Sequence, residues 1–546
     1  MRVACVQLQA YDLERAEEGL SHALAMTERA LACRPDMVVL PECTYPAYFL
    51  AAYHQTHLRP PAQVLEMFAN LARRGNCYLA LGLVEPGREG TLLNSAVLLS
   101  PTGEVVARGY KHFLWHFDCR WFAPGSTPAL ASTPWGKVGM FVCADGRLPE
   151  IPRLLALRGA RLQLDLTGWV SSGRDPARLS NPQAEYMLRV RAFENRCYIA
   201  AANKVGMEAG RVVYCGRSQV VSPDGEILAR AGSTSPEVIW ADLPLPQVAG
   251  PLWPDFDPLR DRQPAAYALL ASPNPVAAPL PSPPAPTAEV VRLAALQLSR
   301  PDLLSSFLYG LACEGATAVV ASPLPGNPDP HFDPGQGHAA PPVRILAWRN
   351  GGELMSRLET PDLEVVVDRS LSLDRRVYDT PAGRVGVMLD REALLPEVPR
   401  VLALLGADWL AWPCSLPADL VELVARTRAA ENKVFVVAAN APTPVSGCTG
   451  AHTRGTHIRT GDTCRGGTPA DAARTGVDAR GASLVVDPDG RILAQAFTGT
   501  DQSIAGQAHL CLARHKAIVP GTDAFAHRQP ALYAALTEAT PTPPED

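Results

Sequence analysis

The chain has 546 residues, more than one ordinary core of ~100–200 residues accommodates, so two or more domains are expected. Hydrophobic residues at 47% and charged residues at 19% fit a globular protein and exclude a disordered or fibrous one. A net charge of −5 argues against a nucleic-acid binder held by a basic surface.

No apolar run approaches the ~18–20 residues of a membrane span. Met1-Arg2-Val3-Ala4-Cys5 enters a strand-like run at once, which leaves no room for a signal peptide. Thirteen scattered cysteines do not form a disulfide framework, and a reducing cytoplasm is expected. Arg, Ala and Pro are enriched, as in GC-rich bacterial genomes. Lysine is scarce: Lys111, Lys137, Lys204, Lys433 and Lys516 are the only five among 50 basic residues.

Along the first half, β-rich runs at 3–8, 37–40, 78–83, 138–142, 162–166 and 198–202 read as buried strands. Residues 12–33 and 148–159 carry the periodicity of amphipathic helices. Two hairpins are expected, 95–99 with 104–108 through Pro-Thr-Gly and 219–221 with 227–229 through Pro-Asp-Gly. The pattern is α/β, with mixed sheets covered by helices.

The second half repeats the first. Arg2-Val-Ala-Cys-Val-Gln-Leu8 returns as Arg292-Leu-Ala-Ala-Leu-Gln-Leu298. Leu148-Pro-Glu-Ile-Pro-Arg153 returns as Leu395-Pro-Glu-Val-Pro-Arg400. Arg191-Ala-Phe-Glu-Asn195 returns as Arg428-Ala-Ala-Glu-Asn432, and Arg262-Gln-Pro264 as Arg528-Gln-Pro530. Proline-rich sequence between the copies reads as an extended spacer. The expected division is 1–271, a spacer at 272–289, and 290–540.

Three strand ends in copy one carry reactive residues. Glu42 follows Leu40-Pro41, Lys111 follows a hairpin, and Cys143 stands where a strand turns sharply toward a helix. The last resembles a nucleophile elbow, whose backbone N–H groups can face an oxyanion. Singly, each residue also fits a bland role: a core thiol, a loop carboxylate, an exposed amine. The lysine tells more, because this chain otherwise favours arginine.

Together with Cys143-Ala-Asp-Gly-Arg147-Leu-Pro-Glu150, Arg191–Asn195, Asn203-Lys-Val-Gly206 and Gly216–Gly225, these stretches resemble the nitrilase superfamily of carbon–nitrogen hydrolases over residues 1 to about 270. The resemblance implies two tandem four-layer αββα sandwich domains. It implies a triad of Glu42 as base, Cys143 as nucleophile and Lys111 with the Ala144 N–H as oxyanion donors. It requires no cofactor and no metal. It implies an amidase or N-carbamoyl hydrolase of small molecules, a nitrilase or a non-catalytic binding protein being the alternatives. Asp118 stands where many members carry a second Glu, and reads either as an accessory catalytic carboxylate or as a surface loop charge. Tyr48 and Trp169 read either as substrate-pocket walls or as packing.

Copy two has Asp390 at the cysteine position, Pro323 or a neighbour without a carboxylate at the glutamate position, and no lysine between Glu289 and Lys433. It reads as a pseudo-enzyme domain kept as a built-in partner, forming an intramolecular pseudo-dimer; a homo-oligomer is the other assembly considered. Cys448, His452, His457 and Cys464 suit zinc by type. Their spacing matches no standard site, and a loop insertion is the plainer reading.

Overall fold

The computed structural model describes residues 1–171, 173–175, 177–245, 253, 255–273, 289–325, 340–350, 353–442 and 480–539. Most of the proline-rich spacer and the whole Cys448–Cys464 loop lie outside them.

Each copy is built from two facing sheets. In copy one the strand Arg2–Gln9 pairs in parallel with Met37–Val39 and antiparallel with Glu237–Asp242. Tyr78–Pro86, Leu92–Leu99 and Val105–Tyr110 extend that sheet, and Lys204–Glu208 with Val212–Cys215 add a further hairpin. The second sheet runs through Ala129–Thr133, Gly136–Val142, Ala160–Leu166, Tyr198–Ala202, Gln219–Val221 and Ile227–Arg230.

The pleat explains the layers. In Arg2–Gln9, Val3 and Cys5 face the opposite sheet, whereas Ala4, Val6 and Leu8 face the helices Ala16–Leu31 and Pro61–Gly75. A strand covered on both faces must be apolar at successive positions, as this one is. The helices Glu150–Leu157 and Leu188–Glu194 cover the second sheet. The result is an αββα sandwich.

Most expected elements appear with shifted ends. The pattern at 12–33 resolves into a 3-10 turn, Leu13–Arg15, and the helix Ala16–Leu31. The pattern at 148–159 gives Glu150–Leu157, which stops before Gly159 at φ +94°. The helix Pro61–Gly75, with proline at its first position, was not anticipated; its N-terminus carries the residue type that tolerates the missing N–H.

Copy two repeats both sheets. Val290–Gln297 takes the place of Arg2–Gln9, pairing in parallel with Ala318–Ala321 and antiparallel with Gln502–His509. Its second sheet has the same order as that of copy one. Even a buried glutamine repeats its task. Gln7 Nε2 donates to the Gly232 and Ser235 carbonyls, and Gln297 Nε2 to those of Phe497 and Thr500.

The two copies share one hydrophobic cluster. Ile151, Leu154 and Leu155 belong to it together with Val398, Val401 and Leu402. Embedded in this apolar seam is a set of reciprocal ion pairs. Arg153 Nε donates to Glu397 Oε1 at 2.8 Å, and Arg400 Nε to Glu150 Oε1 at 2.9 Å. Arg191 donates to Glu431, and Arg428 Nη2 to Glu194 Oε2 at 2.7 Å. Arg262 reaches Glu397 at 2.7 Å and Arg528 reaches Glu150 at 3.5 Å. All ten side chains are nearly or wholly removed from water.

Glu397 shows what the pairing does to the charge. Burial alone would raise its pKa, yet Arg153 and Arg262 bring it down from the ordinary 4.5 to about 2. Its contribution to stability is therefore complete above pH 4.5 and is lost as pH falls from 4.5 toward 2. Breaking such a pair at one end strands the other charge, at a typical cost of about 3–5 kcal/mol. Denaturant unfolding of Arg153→Met at pH 7 is expected to show a loss of that order. Between pH 4.5 and 3, Glu397→Gln is expected to lose less stability than wild type. Equal acid sensitivity would contradict the assignment.

Candidate active site

Three strand ends converge between the sheets of copy one. Met37–Val39 ends at Leu40-Pro41, and the Glu42 N–H donates across to the Thr167 carbonyl at 3.2 Å. Val105–Tyr110 delivers Lys111, whose N–H donates to the Asn94 carbonyl at 2.9 Å. Gly136–Val142 ends at Cys143, which holds φ +49°. That left-handed conformation is strained for a residue with a Cβ. It is held by the Cys143 N–H donating to Asp165 Oδ1 at 3.0 Å and by Gln183 Nε2 donating to the Cys143 carbonyl at 2.8 Å.

Asp145 ties two of these ends together. Its Oδ1 accepts from the His112 and Phe113 N–H groups at 2.9 and 2.7 Å, and its Oδ2 from the Val142 N–H at 3.1 Å. The chain beside Lys111 is thus fastened to the turn that carries Cys143.

Lys111 Nζ sits 2.7 Å from Glu42 Oε1 and 2.7 Å from Asp118 Oδ2. Asp118 is fully buried and belongs to the cluster rather than to a surface loop. Asn94 Nδ2 donates to the same Glu42 oxygen at 2.7 Å. Glu42 Oε2 is buried with no partner. A Cβ on Gly168 would stand 2.5 Å from that oxygen, so only glycine leaves it room.

Burial by itself would lower the Lys111 pKa, but Asp118 and Glu42 carry it well above its ordinary value. Burial pushes the Cys143 thiol well up, Glu42 adds to this, and Lys111 opposes it. The resting pair is therefore an ammonium and a neutral thiol. Ala144 follows Cys143 in the 3-10 turn Cys143–Gly146.

A cavity of about 640 Å³ adjoins the cluster. Tyr48 lines it, with its ring 5.8 Å from Lys111 Nζ. Trp169 is fully buried in the core cluster that includes Cys143, and does not line this cavity. Copy two supplies part of the wall, through Arg426, Asp489 and residues 518–520. It also grips the segment that follows Lys111. Gln529 Nε2 donates to the His112 carbonyl at 2.6 Å, and the His116 N–H donates to Thr522 Oγ1 at 2.7 Å.

The strand pairings place copy two's residues against these. Pairing of Ala318–Ala321 with its neighbour sets Pro323 at the Glu42 position. The hairpin registers set Leu354 at Asn94 and Arg369 at Lys111. Asp390, at φ +47°, occupies the turn of Cys143, and Ser415 stands at Gly168.

The sequence reading brought Glu42, Lys111 and Cys143 forward, and the structure brings all three together with Asp118. It gave no role to Asn94, Asp145, Asp165, Gly168 or Gln183. Of these, Asp145 lies inside the Cys143–Glu150 motif and Asp165 inside an expected strand; Asn94, Gly168 and Gln183 act through fold contacts that no local pattern announces. Among the described residues no group of three His, Cys, Asp or Glu side chains is arranged to hold a metal ion, and no helix is long and apolar enough to cross a membrane.

A family model described as carbon–nitrogen hydrolase matches residues 2–250 and 347–513. The chain belongs to that family. Among curated proteins it is similar to the omega-amidase NIT2 of Bos taurus, 28% identical over 257 residues, spanning 45% of this chain and 90% of the relative. The omega-amidase NIT2 of Homo sapiens is 27% identical over the same span. Among solved structures, the NitN amidase from Nesterenkonia sp. AN1 shows 28% identity, with a TM-score of 0.41 over 48% of this chain and 96% of that one. As a carbon–nitrogen hydrolase the protein acts on C–N bonds other than peptide bonds.

Gly168→Ala tests the cluster without touching a reactive group. Its added Cβ collides with Glu42 Oε2, while Lys111 and Asn94 pin the other oxygen of the same carboxylate. Amide turnover is expected to fall ~10²-fold, because small displacements of catalytic groups are that costly. Circular dichroism and thermal melting should stay close to wild type. Undiminished turnover would show that Glu42 Oε2 does not need this space.

Proposed function

We propose that the protein is an amidase of small carboxamides that works through Glu42, Lys111 and Cys143. The observation that carries this reading is the asymmetry of Glu42. One carboxylate oxygen is saturated by Lys111 and Asn94, and the other is buried, unpartnered and available to a proton.

The steps follow from that asymmetry. Because the thiol rests protonated, its proton passes to Glu42 as the sulfur attacks the amide carbon. The C–S bond forms and the carbonyl oxygen takes the negative charge, which the Lys111 ammonium and the Ala144 N–H stabilise. Glu42 returns the proton to the nitrogen, the C–N bond breaks, and ammonia leaves a thioester. Water, deprotonated by Glu42, then attacks the thioester and releases the acid and the thiol. Asp118 also holds Lys111, at 2.7 Å, and keeps it charged. Omega-amidase and amidase names among the relatives favour a carboxamide over a nitrile or a carbamoyl compound.

The division into 1–271, a spacer at 272–289 and 290–540 belongs to the same reading. The second domain has no catalytic chemistry of its own and serves as a permanent partner. The grip of Gln529 and Thr522 on residues 112 and 116 supports this role.

Ammonia release from small amides is the direct assay. Cys143→Ala is expected to abolish it. Glu42→Gln should reduce it by ~10²–10⁴ and Lys111→Met by ~10²–10³. Alkylation of Cys143 by iodoacetamide should slow in Glu42→Gln. Turnover that survives in Cys143→Ala would refute the mechanism.

A further inference from the structure

Copy two has lost the triad but not the chamber. A cavity of about 540 Å³ opens where copy one has the cavity of Glu42, Lys111 and Cys143. Leu354, Arg369 and Asp390, the counterparts of Asn94, Lys111 and Cys143, line it. Copy one closes it from the side through Asp255, Phe256 and residues 261–263, just as residues 518–520 of copy two wall the other cavity.

The lining has been exchanged for arginine. Arg369 replaces Lys111. Arg349 stands at the position of Val84, which belongs to the apolar cluster around Tyr48. Arg391 follows Asp390 as Ala144 follows Cys143. The side chains of Arg349 and Arg391 are only 11% and 17% exposed. Charge drawn out of water is unfavourable unless something answers it, so an idle cavity gains nothing from this exchange.

Arg391 is held ready. Its guanidinium lies over the Trp253 and Phe256 rings of copy one, at 4.9 and 5.7 Å, and it meets Asp255 at 2.9 Å. Its Nε is buried without a hydrogen-bond partner. Arg369 reaches Glu392 only at 3.8 Å, and both oxygens of that carboxylate already accept from Arg376 Nη1, at 2.9 and 2.8 Å.

The acids of the lining are largely engaged. Asp390 accepts from Arg349 Nη2 at 3.1 Å and from the Ser415 N–H at 3.2 Å. Asp261 accepts from Arg260 Nε at 3.1 Å and from the Asp257 N–H at 2.8 Å. Glu353 is exposed to solvent. The three arginines come from separate elements: the strand Val343–Asn350, the loop after Glu364–Val367 and the turn after Gly383–Val387. One planar guanidinium satisfies one carboxylate, whereas several converging on one cavity suit a phosphate, with more oxygens and a second charge.

We infer that the emptied chamber of copy two is a binding site for a phosphate dianion, either free or at the end of a small monoester, held by Arg349, Arg369 and Arg391. The volume leaves room for an organic group beside the phosphate. This site is independent of the amide chemistry proposed for copy one.

The test is calorimetry of the full chain at pH 7.5 and constant ionic strength, with inorganic phosphate, glycerol 3-phosphate and succinate as probes. One phosphate is expected to bind per chain and to raise the melting temperature. Tighter binding of glycerol 3-phosphate than of inorganic phosphate identifies a monoester site, and the reverse order a site for the free ion. Arg391→Gln and the more exposed Arg369→Gln are each expected to weaken binding ~10–100-fold, the range for one hydrogen-bonded contact to a charged group. Arg391→Lys should recover part of the loss. Arg147→Gln, in the cavity of copy one, should leave phosphate binding unchanged. No phosphate binding by wild type overturns the inference. So does succinate binding as tightly as phosphate, or a loss that follows Arg147→Gln rather than Arg391→Gln and Arg369→Gln.

Discussion

Six buried arginine–glutamate contacts, arranged as three reciprocal pairs, hold this chain's two halves in register. Arg153 needs Glu397 and Arg400 needs Glu150; Arg191 needs Glu431 and Arg428 needs Glu194; Arg262 and Arg528 add a second cation to Glu397 and Glu150. Glu150 and Glu397 draw their arginines from the other half, whereas Glu194 and Glu431 each share one arginine of their own half and one of the other. A well-packed apolar seam could match such pairs in stability. The arrangement is that of an isologous dimer interface written into one polypeptide.

That constraint reaches the active site through a short path. The same seam that pairs the helices also brings Gln529 and Thr522 against residues 112 and 116. Those residues lie beside Lys111 and Asp118, and Asp145 fastens the same segment to the turn of Cys143. A shift of the second copy would therefore move the ammonium relative to the thiol. The comparison between copies separates the needs of folding from those of chemistry. Residues of the seam and of the sheets recur: Gln7 and Gln297, Asn203 and Asn440, Ser218 and Ser483 make matching hydrogen bonds. The residues to which the proposed reaction gives roles do not recur. Glu42, Asn94, Lys111, Cys143 and Gly168 correspond to Pro323, Leu354, Arg369, Asp390 and Ser415. With the carboxylate gone, the space above it no longer needs glycine.

Much of this was legible in the residues. Apolar strands, turn chemistry and the repeat exposed two α/β halves, and three strand ends with unusual residues pointed to the cluster of Glu42, Lys111 and Cys143. Asp118 was not decidable, because a carboxylate in a polar loop looks the same whether it meets water or a buried lysine. The seam was visible only as repeated motifs. That Arg153 pairs with Glu397, rather than with the nearby Glu150, depends on how the halves dock, and no local pattern encodes docking.

On the proposed reading, the second copy holds the first copy's candidate active site in place. The most direct measurement is the mass in solution and the amide turnover of residues 1–271 expressed alone. With its seam charges unanswered, this fragment is predicted to self-associate through the exposed face or to unfold, and to lose most of its activity as a monomer. A stable monomer with the full turnover of the intact chain would contradict the claim.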